Sequence, residues 1–509
     1  MSGTRPPRPS RASRPSRPRP HRLGELAAAL GLPAPTGEAT VTGLTHDSAA
    51  VHPGDLLAAL PGSRSHGARF AAQAVAAGAV AIFTDPKGAQ LAGDAGVPLL
   101  VADRPRAVLG ALAALVHDDP TALMLVLGVT GTNGKTTTAY LLEEGLRAAG
   151  HTTGLIGTVE TRMAGESVPS TRTTPEATDL QATFAAMAER GVTAVAMEVS
   201  SHALALGRVD GTRFAAGAFT NLSQDHLDFH ADMEDYFAAK ALLFDGRCAR
   251  EIVTIDDEYG RRLVRAGTVT VSAAGDLAAD WRAADIEPDP GGGQRFRLVG
   301  PGGVDLPAAL RLPGAFNVAN ALLAVATLAA VGVDPGVATK GVERTVVPGR
   351  MEPVHAGQPW TAYVDYAHKP GAVRAVLTAV RASAARRVIA VLGCGGDRDP
   401  GKRPVMGETA ARLSDLLIVT DDNPRSEDPA AIRAAVLAGA RAVPPGERGK
   451  VVEVGDRRAA IAAAVAAARP GDTVVVAGKG HEQGQEVAGE LHPFDDRVVL
   501  REAVKAAAR

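Results

Sequence analysis

The sequence predicts an α/β fold that is divided among three domains. The chain has 509 residues, which is too long for one hydrophobic core and corresponds to about three domains of ordinary size. Short apolar runs alternate with Ala-rich helical stretches through residues 23–120, 121–345 and 346–509, and this alternation is typical of parallel β/α units. With 46% hydrophobic and 22% charged residues, the composition is that of an ordinary globular protein.

Residues 1–22 form an Arg/Pro-rich head that differs from the rest of the chain. The head contains seven Arg and no Asp or Glu, and because it has almost nothing to bury, we expect a disordered tail. The formal net charge of the whole chain is −2, so the remainder is net negative, which argues against nucleic-acid binding. No run reaches the roughly 18 apolar residues of a membrane span. Two Cys make no disulfide framework, so we expect a cytoplasmic protein, and a monomer.

The first and third domains are expected to be small parallel sheets with flanking helices. Residues 23–120 carry the stretches VTGLTHDS, GDLLAAL, FAAQAVAAGAVAIFTD and VPLLVAD. Residues 346–509 carry RRVIAVLGCGGDRD, LLIVTDDNP and DTVVVAGKGHE, which predict a doubly wound, Rossmann-like domain. Ligands of such sheets bind at the carboxyl ends of the strands, and the polar turns GCGGDRD, DDNPR and GKGHE all lie at such ends.

The central domain, residues 121–345, contains a glycine-rich turn between a strand and a long helix, GVTGTNGKTTT. Gly131 and Gly134 let backbone N–H groups approach phosphates, Lys135 reaches the terminal phosphates, and Thr136 can ligate Mg²⁺. The common phosphate-loop pattern has Gly where this chain has Val129, so a chance match is the alternative. The strand–turn–helix context favours nucleotide binding and predicts a P-loop ATPase-like parallel sheet.

Two further clusters follow strands of the same domain. Glu198 ends the apolar run VTAVAME, where a carboxylate is unfavourable unless it meets a cation; it is either a Mg²⁺ ligand or part of a helix N-cap region with the serines that follow. His226 lies in TNLSQDHLDFH, and Lys240 in the next helix; singly, such residues are usually solvated. Because Thr136, Glu198 and His226 end three successive strands, we interpret them as one cation-and-phosphate site.

The turn DDNPR follows the buried run LSDLLIVT. Pro424 fixes its own φ and restricts Asn423, so the strand should turn sharply here. The guanidinium of Arg425 beside a carboxylate and an amide suits a ligand that carries both an ammonium and a carboxylate, namely an amino acid. The alternative is a polar turn with a solvated Arg.

Together these motifs resemble one family. GTNGKTTT, MEVSSHAL, TNLSQDHLDFH, YFAAKALLF, LPGAFNVANALLA, VPGRMEPV and DYAHKPGA stand in the order seen in the Mur ligase family, and the resemblance covers residues 23–505. The family adds amino acids to UDP-N-acetylmuramic acid in peptidoglycan synthesis, and its shortened phosphate loop accounts for Val129. LTHDS, STRTTP, GCGGDRD, DDNPR and GKGHE are similar to the members that add 2,6-diaminopimelate to UDP-N-acetylmuramoyl-L-Ala-D-Glu.

The resemblance implies an ATP-dependent ligase whose first domain binds the UDP substrate. The γ-phosphoryl group would move to the D-glutamyl carboxylate, and the amine of diaminopimelate would attack the resulting acyl phosphate. Two Mg²⁺ are implied, one on Thr136 and Glu198 and one on His226 and a carbamylated Lys240. Residues implied in ATP binding are Gly131, Thr132, Asn133, Gly134, Lys135, Thr136, Thr137, Asn317, Arg350 and Asp365. Asn317 has an alternative role as a helix cap.

The two remaining substrates are also implied by the resemblance. The UDP substrate would meet Ser48, Thr173, Thr174, Ser200 and Arg208, although Leu206 stands where some relatives have Gln. Diaminopimelate would meet Arg398, Asp422, Asn423, Pro424, Arg425, Gly478 and Glu482. In this assignment Arg425 pairs with the distal carboxylate of diaminopimelate, a group that lysine lacks.

Three alternatives remain from the sequence alone. A lysine-adding Mur ligase is disfavoured by Arg425. A folylpolyglutamate synthetase-like ligase shares the phosphate loop but is not expected to have LTHDS or DNPR. A non-catalytic P-loop binding protein would not need Lys135, Glu198 and a lysine at position 240.

Overall fold

The structure is a computed structural model that describes residues 13–62, 64–170, 172–289 and 292–507. Its strands form one four-stranded, one 11-stranded and one six-stranded sheet, with two small two-stranded sheets. These sheets lie in succession along the chain, and helices pack against each of them. The predicted α/β fold class with three α/β units is confirmed. None of the helices in these ranges is long and apolar enough to cross a membrane.

The N-terminal unit is a parallel sheet with helices beside it. Its strands run in the order β3-β4-β5-β6, and all three pairings are parallel. A separate antiparallel pair, β1 and β2, precedes this sheet. The elements are β1 His21–Arg22, α1 Leu23–Ala29, β2 Thr40–Val41, β3 Gly43–Thr45, β4 Asp55–Ala58, α2 Ala71–Ala76, β5 Ala81–Thr84, α3 Pro86–Ala92, β6 Leu99–Val101 and α4 Pro105–Val116.

The expectation of a disordered tail through residue 22 is wrong for residues 13–22, while residues 1–12 lie outside the described residues. The Arg14 guanidinium donates to both carboxylate oxygens of Asp55 at 3.0 and 2.9 Å. The backbone N–H groups of Ser16 and Arg17 donate to the Glu189 carboxylate at 2.7 and 2.8 Å. Composition showed only that this segment has little to bury. It could not show that acidic groups of two other units satisfy its donors.

The central unit is a mixed sheet in the order β10-β9-β8-β11-β7-β12-β13-β14-β15-β16-β17. Its elements are β7 Leu125–Thr130, α5 Lys135–Ala148, β8 Thr153–Ile156, β9 Glu160–Met163, β10 Glu166–Pro169, α6 Ala177–Glu189, β11 Ala194–Glu198, α7 Ser201–Ala205, β12 Ala216–Phe219, α8 Met233–Ala241, β13 Glu251–Thr254, α9 Glu258–Leu263, β14 Val269–Ser272, β15 Trp281–Pro288, β16 Gln294–Gly300, β17 Val304–Leu310, α10 Ala315–Ala330 and α11 Pro335–Glu343.

The predicted parallel pairing is found in the middle of this sheet. Its two edges are antiparallel. Strands β8, β11, β7, β12, β13, β14 and β15 are parallel, whereas β9–β10 and β15–β16–β17 are hairpins. Ala164 and Gly165 both have positive φ, at 50° and 90°, which is the conformation of a two-residue hairpin turn. Such short connections can join only antiparallel strands.

The C-terminal unit is the predicted doubly wound sheet, in the order β18-β19-β23-β20-β21-β22. Strands β19, β23, β20, β21 and β22 are parallel, and buried apolar clusters lie on both faces. The elements are β18 Glu352–Pro353, β19 Thr361–Asp365, α12 Pro370–Ser383, β20 Val388–Leu392, α13 Lys402–Leu413, β21 Leu416–Val419, α14 Pro429–Ala442, β22 Lys450–Glu453, α15 Arg457–Ala467, β23 Thr473–Ala477, β24 Gly484–Val487, β25 Glu490–Pro493 and α16 Asp496–Ala507.

Candidate active site

The glycine-rich turn joins β7 to α5 at the middle of the central sheet. Gly134 has φ of 88°, and a Cβ there would lie 2.3 Å from Oδ1 of Asn320 on α10, so no other residue fits without displacing that amide. Lys135 begins α5 and its ammonium donates to the carbonyl oxygens of Gly131 and Thr132 at 2.8 and 2.9 Å. Burial lowers the pKa of Lys135 to about 8. The turn therefore has the shape and the cation that a phosphate chain requires.

Thr136 and Glu198, which the sequence predicts to share a cation site, are in direct contact. The Thr136 hydroxyl donates to Oε2 of Glu198 at 3.0 Å, across the parallel pairing of β7 with β11. Thr158, which the sequence did not single out, donates its N–H to Oε1 of Glu198 at 2.7 Å and its hydroxyl to Oε2 at 3.1 Å. Glu198 is only 2% exposed, and hydroxyl and amide donors hold its carboxylate, which forms no ion pair with any residue that the structure describes.

Lys240 also reaches the phosphate loop. It lies on α8, is 1% exposed, and donates to the carbonyl oxygen of Gly131 at 2.8 Å. Its ammonium lies 4.4 Å from the centre of the Tyr236 ring, whose hydroxyl is 3.1 Å from that of Thr132. Burial, and then the nearby Lys135 ammonium, lower the pKa of Lys240 well below its usual range. Unlike a solvated helix lysine, this one is buried beside the phosphate loop.

His226 lies close to the same loop, in a backbone conformation with φ of 53°. Its ring is 6.0 Å from the Tyr236 ring and 4.9 Å from the His202 ring, and its Nε2 is 3.4 Å from Asp225. Burial lowers the pKa of His226 to about 4, so the ring is neutral at physiological pH. A neutral imidazole is the form that binds metals.

Asp225 forms an ion pair with Lys369 of the C-terminal unit, and Arg350 makes a second contact between the two units. The Arg350 guanidinium donates to the Thr136 hydroxyl at 3.4 Å and lies 4.4 Å from the centre of the Tyr366 ring. These contacts bring the C-terminal unit against the phosphate loop. Lys369 and Tyr366 belong to the motif DYAHKPGA, but nothing in the local pattern of that motif predicts that they contact the phosphate-loop region.

Asp365 and Asn317 are held by local hydrogen bonds. The Asp365 carboxylate accepts from the backbone N–H groups of Met351 and Ala367, both at 2.7 Å, and burial raises its pKa. The Asn317 side chain donates to the carbonyl oxygen of Pro313 at 2.8 Å and accepts from Asn320 at 3.2 Å. It does not cap α10, whose N-cap residue is Gly314. Asn317 instead holds the side chain of Asn320, which packs directly against Gly134 of the phosphate loop.

Four of the five residues predicted to bind the UDP substrate lie beside Glu198. The Thr173 hydroxyl is 2.9 Å from that of Thr158, and Thr174 donates to the carbonyl oxygen of Glu198 at 2.9 Å. Ser200 caps α7 by accepting from the N–H of Ala203. The Arg208 guanidinium donates to the carbonyl oxygen of Thr174 at 3.4 Å. The fifth residue, Ser48, lies in the loop after β3 and has no side-chain hydrogen bond to any described residue.

The DDNPR turn lies at the carboxyl end of β21. Arg425 has φ of 54°, its guanidinium donates to the carbonyl oxygen of Gly396 at 2.5 Å, and its Nε is 3.4 Å from the Glu486 carboxylate. The side chain is 22% exposed, so Arg425 is not a solvated turn residue. Arg398 is exposed, and its one hydrogen bond among the described residues reaches the carbonyl oxygen of Asp397 at 3.5 Å.

A buried lysine joins the other predicted amino-acid-binding residues. Lys479 is 0% exposed, and its ammonium lies 2.8 Å from Oδ1 of Asn423, 3.2 Å from Glu482 and 3.6 Å from Asp422. Gly478 has φ of 122°, and a Cβ there would lie 2.5 Å from Asp422. One ammonium therefore serves two carboxylates, which leaves net negative charge for a ligand ammonium. Lys479 stands inside the quoted motif GKGHE but was not singled out, because a lysine in a polar turn is usually solvated.

The three α/β units and the phosphate loop with its flanking lysines define a nucleotide-binding enzyme of the P-loop type. Family models match most of the chain: "Mur ligase family, catalytic domain" over residues 40–117, "Mur ligase middle domain" over 129–328, and "Mur ligase, glutamate ligase domain" over 349–480. The chain belongs to the Mur ligase family.

Whole-chain relatives support the same membership. The chain is 58% identical to the UDP-N-acetylmuramoyl-L-alanyl-D-glutamate–2,6-diaminopimelate ligase of Streptomyces coelicolor, over 95% of this chain and 96% of that protein. It is 52% identical to the protein of the same name from Corynebacterium glutamicum, over 94% of each. A solved structure of a ligase with this name superposes with a TM-score of 0.67 at 31% identity, covering 92% of this chain and 96% of that one.

Proposed function

We propose that this enzyme is an ATP-dependent ligase that joins 2,6-diaminopimelate to the D-glutamyl carboxylate of UDP-N-acetylmuramoyl-L-Ala-D-Glu, a step of peptidoglycan precursor synthesis. One observation carries the assignment of the amino acid. Arg425 is held in a turn that also contains two carboxylates and an amide, in a chain 58% identical to a ligase of that name. A guanidinium binds a carboxylate by paired hydrogen bonds, so the site matches a substrate with a second carboxylate.

ATP is proposed to bind at the phosphate loop with its γ-phosphate near Lys135. The Lys135 ammonium now donates to loop carbonyl oxygens, and phosphate oxygens would replace these acceptors. The loop N–H groups, Thr132, Asn133 and Thr137 would contact the phosphates, and Arg350 would add a second cation from the C-terminal unit. Positioning and charge neutralisation are the main needs of phosphoryl transfer.

We propose two Mg²⁺ sites beside the loop, in which the protein supplies only part of each ligand set and the phosphates supply the rest. Thr136 and Glu198 would hold one ion, because their hydroxyl and carboxylate oxygens lie 3.0 Å apart and Mg²⁺ prefers oxygen donors. The second set is His226, which is neutral, together with Lys240. Burial lowers the pKa of Lys240, which favours the neutral amine that reacts with carbon dioxide, and the resulting carbamate would be an anionic oxygen ligand. Bound Mg²⁺ would neutralise the charge of the phosphates and of the developing acyl phosphate.

The two acceptor substrates are proposed to meet at this loop from opposite units. Ser48, Thr173, Thr174, Ser200 and Arg208 would bind the UDP substrate. Arg398 and Arg425 would bind the carboxylates of diaminopimelate, and Asp422 and Glu482 its ammonium groups, with Asn423, Pro424 and Gly478 shaping the turn. The Asp225–Lys369 and Thr136–Arg350 contacts hold the units together. A reaction that needs three substrates in one place is accelerated by such positioning.

In the proposed reaction the D-glutamyl carboxylate attacks the γ-phosphorus, and ADP leaves. The amine of diaminopimelate then attacks the acyl phosphate carbonyl, an amide bond forms, and inorganic phosphate leaves. Because ATP and UDP-linked precursors are cytoplasmic metabolites, the enzyme is assigned to the cytoplasm. We propose that it acts as a monomer, because the residues proposed to bind all three substrates lie in one chain.

The experiment is amino-acid-dependent phosphate release from ATP in the presence of UDP-N-acetylmuramoyl-L-Ala-D-Glu. Meso-diaminopimelate, LL-diaminopimelate and L-lysine are added in parallel to the wild type and to Arg425→Ala. We expect release with one diaminopimelate isomer, and a loss of at least about tenfold in Arg425→Ala, which removes a charge-assisted pair. Release with lysine alone would support the lysine-adding alternative. No release with any of the three would contradict the ligase assignment.

A further inference from the structure

The hairpin β24–β25, residues 484–493, packs against the DDNPR turn and contains none of the residues proposed to bind substrate. Its backbone pairs with Arg425 on both sides. The Arg425 N–H donates to the carbonyl oxygen of Glu486 at 3.0 Å, and the Ala488 N–H donates to the carbonyl oxygen of Arg425 at 2.7 Å. A short bridge between Arg425 and Val487 results. The residue proposed to select the amino acid is thus tied by its main chain to this hairpin.

The backbone of Arg425 needs such support. Its φ of 54° is in the left-handed region, which is unfavourable for a residue with a long side chain. A conformation of this kind persists only where surrounding contacts hold it. The two hydrogen bonds from the hairpin hold the N–H and the carbonyl oxygen of Arg425 itself, and its guanidinium contacts Gly396 and Glu486 from this fixed backbone.

Two side-chain contacts extend the same connection to the start of the turn. The Gln485 side-chain amide donates to the carbonyl oxygen of Asp422 at 2.6 Å. The N–H of Glu486 donates to Oδ1 of Asn423 at 3.0 Å, the same oxygen that accepts from Lys479. Gln485 therefore fixes the carbonyl that precedes Asn423, and a shift there would move each residue of the turn.

We infer that Gln485 is a positioning residue for diaminopimelate: through the carbonyl oxygen of Asp422 it holds the DDNPR turn so that Arg425 meets the second carboxylate of the substrate. This inference rests on the proposed function. Loss of the Gln485 donor leaves a half-buried carbonyl oxygen without its partner, which weakens the turn by more than the value of a single solvent-exposed hydrogen bond. The effect should fall on the amino acid and not on ATP or the UDP substrate.

The matched control is Gln483, a residue of the same type two positions earlier. Its side chain is exposed and has no hydrogen bond to any described residue, while its backbone carbonyl accepts from Phe494. Gln485→Met and Gln483→Met therefore make the same chemical change with and without loss of the contact to Asp422. Gln485→Glu serves as a second variant, because it keeps the shape and removes the amide donor.

Steady-state kinetics of the full-length enzyme test the inference, with meso-diaminopimelate, LL-diaminopimelate and lysine as acceptors. We expect Gln485→Met and Gln485→Glu to lower kcat/KM for diaminopimelate about five- to fiftyfold, mainly through KM. The KM values for ATP and for the UDP substrate should stay within twofold to threefold, about the effect of a single distant substitution, and Gln483→Met should match the wild type. The ratio of kcat/KM for diaminopimelate to kcat/KM for lysine should therefore fall, because only the value for diaminopimelate decreases.

A double-mutant cycle adds a readout that a merely structural role would not move. Because Gln485 acts through Arg425, Gln485→Met should lower kcat/KM for diaminopimelate by a much smaller factor in the Arg425→Ala background than in the wild type. Equal kinetics for Gln485→Met and Gln483→Met, or an equal loss for all three substrates, would overturn the inference. A wild type that uses neither diaminopimelate isomer would instead contradict the proposed function.

Discussion

Replacing Arg457 by Met tests whether the amino-acid site depends on a buried ion pair beneath it. Arg457 begins α15, and Asp496 begins α16. The guanidinium donates to both Asp496 oxygens at 2.8 and 2.6 Å, and both side chains are 0% exposed. It also donates to the carbonyl oxygens of Asp421 and Ala477 at 3.2 and 3.0 Å. Those two residues immediately precede Asp422 and Gly478 in the predicted amino-acid site.

The expected loss of stability follows from what Arg457→Met leaves behind. The Asp496 carboxylate remains buried without its cation, and removal of one partner of a buried pair costs about 3–5 kcal/mol. The two carbonyl oxygens also lose a donor. For a unit of the size of the C-terminal domain, each kcal/mol lowers Tm by about 2–4 °C, so a decrease of about 6–20 °C is expected for its transition.

Arg458→Met is the matched control. Arg458 is adjacent, bridges the same two helices through Glu502 at 2.7 Å, and has a side chain that is 59% exposed. An exposed pair of this kind contributes about 0–1 kcal/mol. Differential scanning calorimetry of the wild type and both variants gives the comparison, and KM for diaminopimelate is measured on the folded fraction. If the two variants unfolded at the same temperature, the reasoning about the buried pair would be wrong.

Two further predictions concern other parts of the molecule. Gly134→Ala should lower kcat/KM for ATP about 10- to 100-fold, because the new Cβ meets Asn320 and displaces the phosphate loop. The control is Gly150→Ala, which has a similar φ of 89° and nothing within 4 Å of the added Cβ, and it should affect stability only. Equal ATP kinetics in the two variants would contradict this prediction. Burial lowers the pKa of His117 to about 4 from 6.5. As the pH falls below 6.5 the unfolded chain binds a proton at His117 before the folded chain does, so the free energy of unfolding is highest above pH 6.5 and decreases as the pH falls toward 4. Urea unfolding should show about 3 kcal/mol of this loss in the wild type and not in His117→Gln; the same pH dependence in both would refute it.

Much of the site followed from local sequence pattern. The phosphate loop, Glu198 and the DDNPR turn each stand directly after a buried apolar strand, and the carboxyl ends of parallel strands meet at one edge of a sheet. The convergence of Thr136 with Glu198 could therefore be predicted. The loop position of Lys240 could not be derived from spacing, because helix periodicity alone does not show which neighbour covers a lysine; its resemblance to a family motif supplied that expectation.

Other features depended on contacts between distant segments. Thr158 contacts Glu198, and Lys479 contacts Asp422 and Asn423, only because the fold brings together segments that are far apart in sequence. Neither residue stands in a sequence pattern that separates it from an ordinary polar turn residue. Residues 13–22 are ordered by Asp55 and Glu189, which lie far along the sequence. The antiparallel edges of the central sheet depend on short hairpins that an alternation of strands and helices does not distinguish from parallel crossovers.

The proposed function requires that this enzyme joins diaminopimelate, and not lysine, to the UDP-linked dipeptide. The most direct measurement is mass spectrometry of the nucleotide product after incubation with ATP, Mg²⁺ and equal concentrations of meso-diaminopimelate, LL-diaminopimelate and L-lysine. We expect a UDP-tripeptide heavier than the substrate by one diaminopimelate residue, with that product greatly reduced for Arg425→Ala. A product heavier by one lysine residue, or an unchanged UDP-dipeptide, would contradict the claim.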